Sequence, residues 1–375
     1  MYLSEDHRAV QDAVRAYVQD RIAPQAAAWD RSAHFPKDEL RGLAELGCYG
    51  IAVPVEWDGA GLDYLAVSLI IEEVAAGDGA TSTVISVTNC PVNTILMGFA
   101  NDDQKERFLK PLARGDLLGA FCLTEPHVGS EAGGLRTTAV KDGDHYVLNG
   151  VKQFVTSGKN GDVAIVMAVT DKAAGKKGIS AFIVPTATPG YTVARLEDKM
   201  GQHASDTAQI LFEDCRVPAA NLIGKEGEGL KIALSGLEGG RIGIASQSVG
   251  MARAAIEAAL AYSKGRVAFQ KPIFEHQAIQ FKLADMATQI EAARQLIHHA
   301  ASLKDAGQPC LKEAAMAKLF ASEMAERVCS SAIQVFGGYG YTNDFPVERI
   351  YRDVRVCQIY EGTSEVQKIL IGRNL

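Results

Sequence analysis

Val140-Lys141-Asp142-Gly143-Asp144-His145-Tyr146-Val147-Leu148 reads as two β-strands folded around an Asp-Gly turn, since that pair suits the positive-φ positions of a tight hairpin. Asn149-Gly150 follows directly and predicts a second tight turn. This stretch decides the fold, because the apolar period changes here from that of helices to that of strands. Further strands are predicted at Val163 to Val169, Ile179 to Val184, Tyr191 to Leu196 and Ile210 to Phe212, with Pro185, Pro189 and Pro218 between them. Short strands without intervening helices predict a small antiparallel barrel or sandwich.

On the N-terminal side, from Ser4 to about Gly115, the pattern is helical. Ala9 to Ile22 and Leu40 to Gly47 place apolar residues three and four apart, and Pro24, Pro36 and Pro54 punctuate the joints. Ala80 to Asn101 carries no charged side chain; a helix apolar on every face must be buried or line a pocket. On the C-terminal side, Leu230 to Tyr262, His276 to Leu303 and Lys312 to Phe336 read as long, alanine-rich bundle helices. The expected organisation is therefore α+β and mainly α: a helical domain (1–118), a small antiparallel β domain, barrel or sandwich (119–224), and a helical bundle (225–375).

A chain of 375 residues can bury two or three substantial cores. Its formal charge of −7 leaves no basic surplus for nucleic acid, and no apolar run approaches membrane-spanning length. Met1-Tyr2-Leu3-Ser4 enters a helical pattern at once, so a signal or transit peptide is expected to be absent or removed. That fits a bacterial cytoplasm or a mitochondrial matrix. Seven cysteines, with no close pair, read as reduced structural thiols rather than disulfides or zinc ligands. His298-His299 reads as a solvated helix face, and no metal is expected.

Three segments can carry chemistry. Phe121-Cys122-Leu123-Thr124-Glu125-Pro126-His127-Val128-Gly129-Ser130 leaves a strand for a Gly/Ser loop, either a plain surface loop or a cradle for an anion or a ring's polar edge. Lys152-Gln153-Phe154-Val155-Thr156-Ser157-Gly158 reads as an edge strand or as a site wall. In Tyr360-Glu361-Gly362-Thr363-Ser364-Glu365-Val366-Gln367, Ser364 and Gln367 have capping-box spacing. That places Glu361 just before a helix N-terminus, as a solvated carboxylate or a base. Gly224-Lys225-Glu226-Gly227-Glu228-Gly229 lacks the βαβ context of a dinucleotide fingerprint and reads as a loop. Gly337-Gly338-Tyr339-Gly340 reads as a helix stop.

Taken in order, these segments resemble the acyl-CoA dehydrogenase family over the whole chain, most closely its short-chain, butyryl-CoA-type members. Lys199-Met200-Gly201, Ser205-Asp206-Thr207, Gly240-Arg241-Ile242-Gly243-Ile244-Ala245, Lys271-Pro272-Ile273 and Gln334-Val335-Phe336-Gly337-Gly338 complete the match. The resemblance implies an N-terminal helical domain, a middle antiparallel β-barrel domain and a C-terminal four-helix bundle. It implies an FAD-dependent oxidation of an acyl-CoA to its trans-2-enoyl-CoA, in a homotetramer that passes electrons to an electron-transferring flavoprotein. It implies that Phe121, Leu123, Thr124, Phe154, Val155 and Thr156 hold the flavin ring, with Ser130 near its phosphates or the substrate. Arg266, Phe269, Gln277, Gln334, Val335, Gly337 and Gly338 would bind the adenosine-diphosphate half across a subunit boundary. Thr363, Ser364 and Glu365 would touch FAD, and Glu238, Arg241, Tyr360 and Gly362 the substrate. Arg241 and Arg266 read alternatively as ends of core salt bridges.

Glu361 matches the family's catalytic base. Some relatives carry that base just before the arginine of the fourth motif, where this chain has Gly240. The chain departs from the family pattern at Phe154 (commonly tryptophan), His203 (arginine), Gln270 (glycine) and His127 (glycine). The first and last bear on the flavin environment, and His127 reads as a surface loop residue. Ser82 stands where glutaryl-CoA-type relatives carry a cation, which disfavours a dicarboxylic acyl group. An oxygen-using acyl-CoA oxidase and a non-catalytic CoA- or flavin-binding relative are the alternative functions.

Overall fold

The computed structural model describes residues 3–375. Met1 and Tyr2, half of the N-terminal stretch read above, lie outside the described residues. The N-terminal helices are α1 (Glu5–Tyr17), α2 (Ala26–Ser32), α3 (Lys37–Glu45) and α4 (Tyr64–Gly77), then α5 (Gly79–Val87), α6 (Thr94–Phe99), α7 (Asp102–Gln104) and α8 (Lys110–Arg114). Ser4, Asp63 and Asp78 cap α1, α4 and α5 by accepting backbone N–H groups. The charge-free stretch is not one regular helix. Thr88–Asn93 forms a π-helical turn between α5 and α6, and it contains Pro91. Proline has no N–H to give an α ladder, so the chain widens there. As the composition requires, most of this stretch is buried, with Gly98 and Asn101 exposed at its end.

The strands are β1 (Gly119–Cys122), β2 (Thr138–Asp142), β3 (His145–Thr156), β4 (Val163–Val169), β5 (Ile179–Pro185), β6 (Tyr191–Leu196), β7 (Thr207–Pro218) and β8 (Leu222–Ile223). Asp142 pairs with His145 across a two-residue turn, with Gly143 at φ +62°. The second expected turn is absent. Asn149-Gly150 lies inside β3, where the register against β7 slips between Leu148 and Gly150. A Cβ on Gly150 would come within 2.7 Å of Thr137 Cα, so glycine is needed for strand contact. Asn149 exchanges hydrogen bonds with Asp214 on β7, Nδ2 donating at 3.1 Å and Oδ1 accepting at 2.9 Å. The bend is thereby fixed on both strands.

The sheet order is β6-β7-β3-β2-β4-β5-β8, with β1 also on β4. Pairing is antiparallel except where β1 and β2 meet β4 in parallel, the latter through the single pair Thr138 and Val169. β4 is buried on both faces. Ala164, Val166 and Ala168 enter the interior of the β-layer, while Val163, Ile165 and Met167 pack with Leu96, Leu109, Leu112 and Ile232. One strand thus belongs to two cores, which explains its unbroken apolar run.

The C-terminal part begins with α9 (Gly229–Gly265). A small hairpin of β9 (Val267–Ala268) and β10 (Lys271–Pro272) follows, then α10 (Gln277–Asp305), α11 (Leu311–Phe336), α12 (Val347–Val354) and α13 (Ser364–Arg373). Alanines along α9, α10 and α11 let these helices approach closely. α4 joins the bundle, since a Cβ on Gly250 would lie 2.3 Å from Glu72 O. Its two buried carboxylates are paired: Glu72 with Arg253 and Arg294, Glu73 with Arg15 and Arg253. His298, expected on a solvated face, is only 6% exposed, and burial lowers its pKa; His299 is exposed. All seven cysteines are free and buried.

Candidate active site

The chain between α12 and α13 holds the group with the clearest chemistry. Glu361 has φ +54° and Gly362 φ +92°, so the backbone reverses sharply there. The cap of α13 is Thr363, which accepts Val366 N–H at 3.4 Å, and not Ser364 as expected. Ser364 is the first helical residue, its Oγ buried without a partner. The reversal turns two carbonyls inward, and Gln367 is recruited to them: its Nε2 donates to Glu361 O at 3.1 Å and Gly362 O at 2.9 Å. The expected capping box therefore does not form.

Glu361 Oε2 is buried and receives no hydrogen bond. Desolvation raises the carboxyl's pKa to about 7, against opposing pulls from Arg241 and Lys318. Arg241, on α9, is 4% exposed with Nε and Nη1 unpartnered, and burial lowers its pKa. Leaving such groups unpaired costs about 1–3 kcal/mol each, more when charged. Their clustering marks a place shaped for a polar ligand. Gly240 makes the approach possible, because a Cβ there would sit 2.5 Å from Glu361 Oε2. Glu238 is occupied otherwise, 3.5 Å from Lys304 Nζ and accepting from Cys310 Sγ. The Tyr360 hydroxyl donates to Gln247 Oε1 and accepts from Gln202 Nε2, so it anchors the loop.

The first two motifs also meet. Gln153 N donates to Thr124 O at 2.8 Å, laying the loop after β1 along β3. Beneath it Lys152, with no exposed surface, donates to Leu123 O at 3.1 Å and Glu125 Oε1 at 2.8 Å. Glu125 also accepts Arg136 N at 2.7 Å and Thr137 N at 3.0 Å. Sequence reasoning missed this buried pair, although both residues lie inside the quoted motifs. Strand alternation gives no signal for it, since Lys152 and Phe154 would share a face and only the register shift between Lys152 and Val155 separates them. Phe154 is 63% exposed at φ +57°, while Phe121, Thr124 and Thr156 are half-buried and Ser130 is exposed. Leu123 is buried, and Val155 points into the β-core, leaving only its backbone for a ligand. His127 is exposed. His203 is structural, with Nδ1 2.9 Å from Asp30 Oδ1 and Nε2 2.6 Å from Lys199 O.

A third group gathers elsewhere. Arg266, Val335, Gly337 and Gly338 share the wall of a cavity of about 530 Å³ with Tyr262 and Phe336; Phe269, Gln277 and Gln334 stand exposed outside that wall. Arg266 follows the C-terminus of α9, whereas Arg241 lies in its first half. At 1.5 Å per residue the two are about 37 Å apart along the helix. One chain therefore does not bring this group to Glu361. Phe269 and Gln270 have φ +52° and +67° in the β9–β10 turn, so the departure from glycine at 270 is strained.

A second cavity, of about 340 Å³, is lined by Asn89, Asn93, Thr94 and Met97 of the charge-free stretch together with Tyr64 and Lys304. Ser82 is not on its wall, and its hydroxyl is used by Gly79 O and Gln247 Nε2. The buried carboxyl with its unpaired oxygen and the unpartnered Arg241 suit a thioester substrate, while the exposed aromatic of the β-layer motif and the separate cavity with Arg266 offer surfaces that fit parts of a flavin nucleotide.

Family models for the acyl-CoA dehydrogenase N-terminal, middle and C-terminal domains match residues 4–116, 120–215 and 227–375. The chain is similar to the mitochondrial short-chain specific acyl-CoA dehydrogenase of Rattus norvegicus, 45% identical over 100% of this chain and 90% of that protein. Butyryl-CoA dehydrogenase from Megasphaera elsdenii superposes with a TM-score of 0.98 at 43% identity, covering 100% of this chain and 99% of that one. A chain from structural work on the electron transferring flavoprotein of Acidaminococcus fermentans gives 0.99 at 46%, covering 100% and 98%. Identity of this order along the full length, over the same three-part fold, leads to one conclusion: the chain belongs to the acyl-CoA dehydrogenase family, the FAD-dependent oxidoreductases that dehydrogenate acyl-CoA thioesters.

Proposed function

We propose that this enzyme oxidises a short-chain acyl-CoA, straight or singly branched, with Glu361 as the base that removes the α-proton. The observation that carries this is the buried, unpartnered Glu361 Oε2, whose pKa is raised to about 7. A base acts best when its pKa approaches the working pH, and an ordinary carboxylate is too weak. Arg241 holds the ionised form in reach without hydrogen bonding to it, and the Glu361 backbone amide would donate to the thioester oxygen as enolate charge develops. Phe121, Thr124, Phe154 and Thr156 would hold the ring of FAD, and Thr363, Ser364 and Glu365 its neighbouring edge. FAD, when bound, supplies the acceptor for the β-hydrogen.

Arg266, Gln277 and Gln334 to Gly338 would hold the adenosine-diphosphate half for a second copy of the chain. The ~37 Å along α9 supports this sharing. The short-chain and butyryl-CoA relatives support a substrate of about four to six carbons, and the Acidaminococcus relative supports an electron-transferring flavoprotein as acceptor. Glu361→Gln tests the base. The variant should keep FAD and shift the flavin spectrum with acyl-CoA, yet bleach at least ~10²–10⁴-fold more slowly. Bleaching near the wild-type rate would remove Glu361 from the role. Arg241→Ala should weaken substrate positioning while α-proton removal persists. Rapid oxygen uptake during turnover would favour the oxidase reading.

A further inference from the structure

Lys318, on α11, has no exposed surface, and lysine is almost never fully buried without a purpose. Its Nζ donates to Gly362 O at 2.7 Å, the same carbonyl that accepts from Gln367 Nε2. Two donors from two helices thus converge on the Gly362 carbonyl, one residue past Glu361. Glu361 itself sits at φ +54°, a conformation that L-residues hold only when their surroundings impose it. We propose that Lys318 is a positioning residue for the base, clamping Gly362 O so that the Glu361 carboxylate stays between Gly240 and Arg241.

The inference rests on Glu361 being the base. Lys318 acts through geometry and through charge. Burial lowers its pKa to about 8, so it remains largely cationic at neutral pH and favours the ionised form of Glu361. The other groups that act on this centre are Arg241 and Glu238 from α9, Cys90 from the π turn, Cys357 from the turn after α12, and the exposed Glu365 at the start of α13.

The two contributions separate experimentally in the holoenzyme. Lys318→Met removes donor and charge at similar volume; Gln367→Leu removes a donor and leaves the charge. Two readouts apply: the pH profile of flavin reduction by a short acyl-CoA, and exchange of substrate α-protons with deuterated solvent by NMR. Lys318→Met should slow both by at least ~10-fold with KM nearly unchanged, and move the limb near pH 7 upward by roughly one unit. Gln367→Leu should slow both without moving the limb. Should Lys318→Met not fold, Lys318→Gln keeps an amide donor and should still show the displaced limb. A wild-type limb and wild-type exchange per bound flavin in the Lys318 variants would overturn the clamp, even if melting temperature fell. If Glu361→Gln were also fully active, the base assignment would fail instead.

Discussion

Glu361 occupies an environment that disfavours its charged form. Its folded pKa near 7 lies above the ordinary 4.5, so between those values the folded protein keeps a proton the unfolded chain has lost. Stability from this group therefore falls as pH rises through that window. Glu361→Gln holoenzyme should melt above wild type at pH 8, with the gap closing towards pH 5, as thermal scans at both pH values would reveal. The same titration should make kcat/KM drop about tenfold per unit below pH 7, a limb that the variant lacks. Gly240→Ala puts a methyl 2.5 Å from Oε2 and should slow flavin reduction at least ~10-fold at unchanged FAD content. Stopped-flow reduction checks this. The flanking glycine and helix start left Glu361 open between a solvated carboxylate and a base, and only the family resemblance pointed to the base; its burial is visible in the fold alone. Lys318 was not legible at all: it is one cation in an amphipathic helix, and its burial arises only when α11 packs against the turn before α13.

At the scale of elements, long periodic segments were legible and local irregularities were not. Asn149-Gly150 suits a hairpin turn and a glycine bulge equally, and only the matching Asp214 on β7, 65 residues away, selects the bulge. Pro91 sits within a helical period, so its π turn is invisible until the neighbouring helices hold it. Ser364 and Thr363 both qualify as caps by type, and the positive φ values at 361 and 362 decide between them. The β9–β10 turn yields a quantitative expectation. Gln270 at φ +67° lacks the freedom a glycine would have there, at a cost of about 1–2 kcal/mol. Gln270→Gly should raise the melting temperature of the holoenzyme without altering kcat. A lowered midpoint would mean the side chain has a compensating contact.

The order of helices, strands and helices was legible throughout the molecule, because a change of apolar period survives any detail of packing. How the parts join was not. Exposed Phe269 sits in the hairpin turn and exposed Tyr339 lines the cavity with Arg266, while Phe281 and Tyr341 are exposed on α10 and after α11. With the cofactor sharing proposed above, they support a tetramer, expected in light scattering as four times the 40.1 kDa subunit. Dilution into subunits should release flavin in step. Within one subunit, Thr83 of α5 donates to Gln202 Oε1 at 2.6 Å, Gln202 N donates to Asp353 on α12, and Gln247 of α9 joins Thr83 at 2.6 Å and Tyr360. Helical, β and bundle segments therefore meet in one buried polar knot beside the loop that carries Glu361. Recombination between relatives is constrained accordingly. A chimaera whose β segment brings a residue other than glutamine at 202 places it in a junction built by the other two. It should lose activity through misregister of the loop even when each segment is native in sequence, and co-transfer of 83, 247 and 353 should restore it.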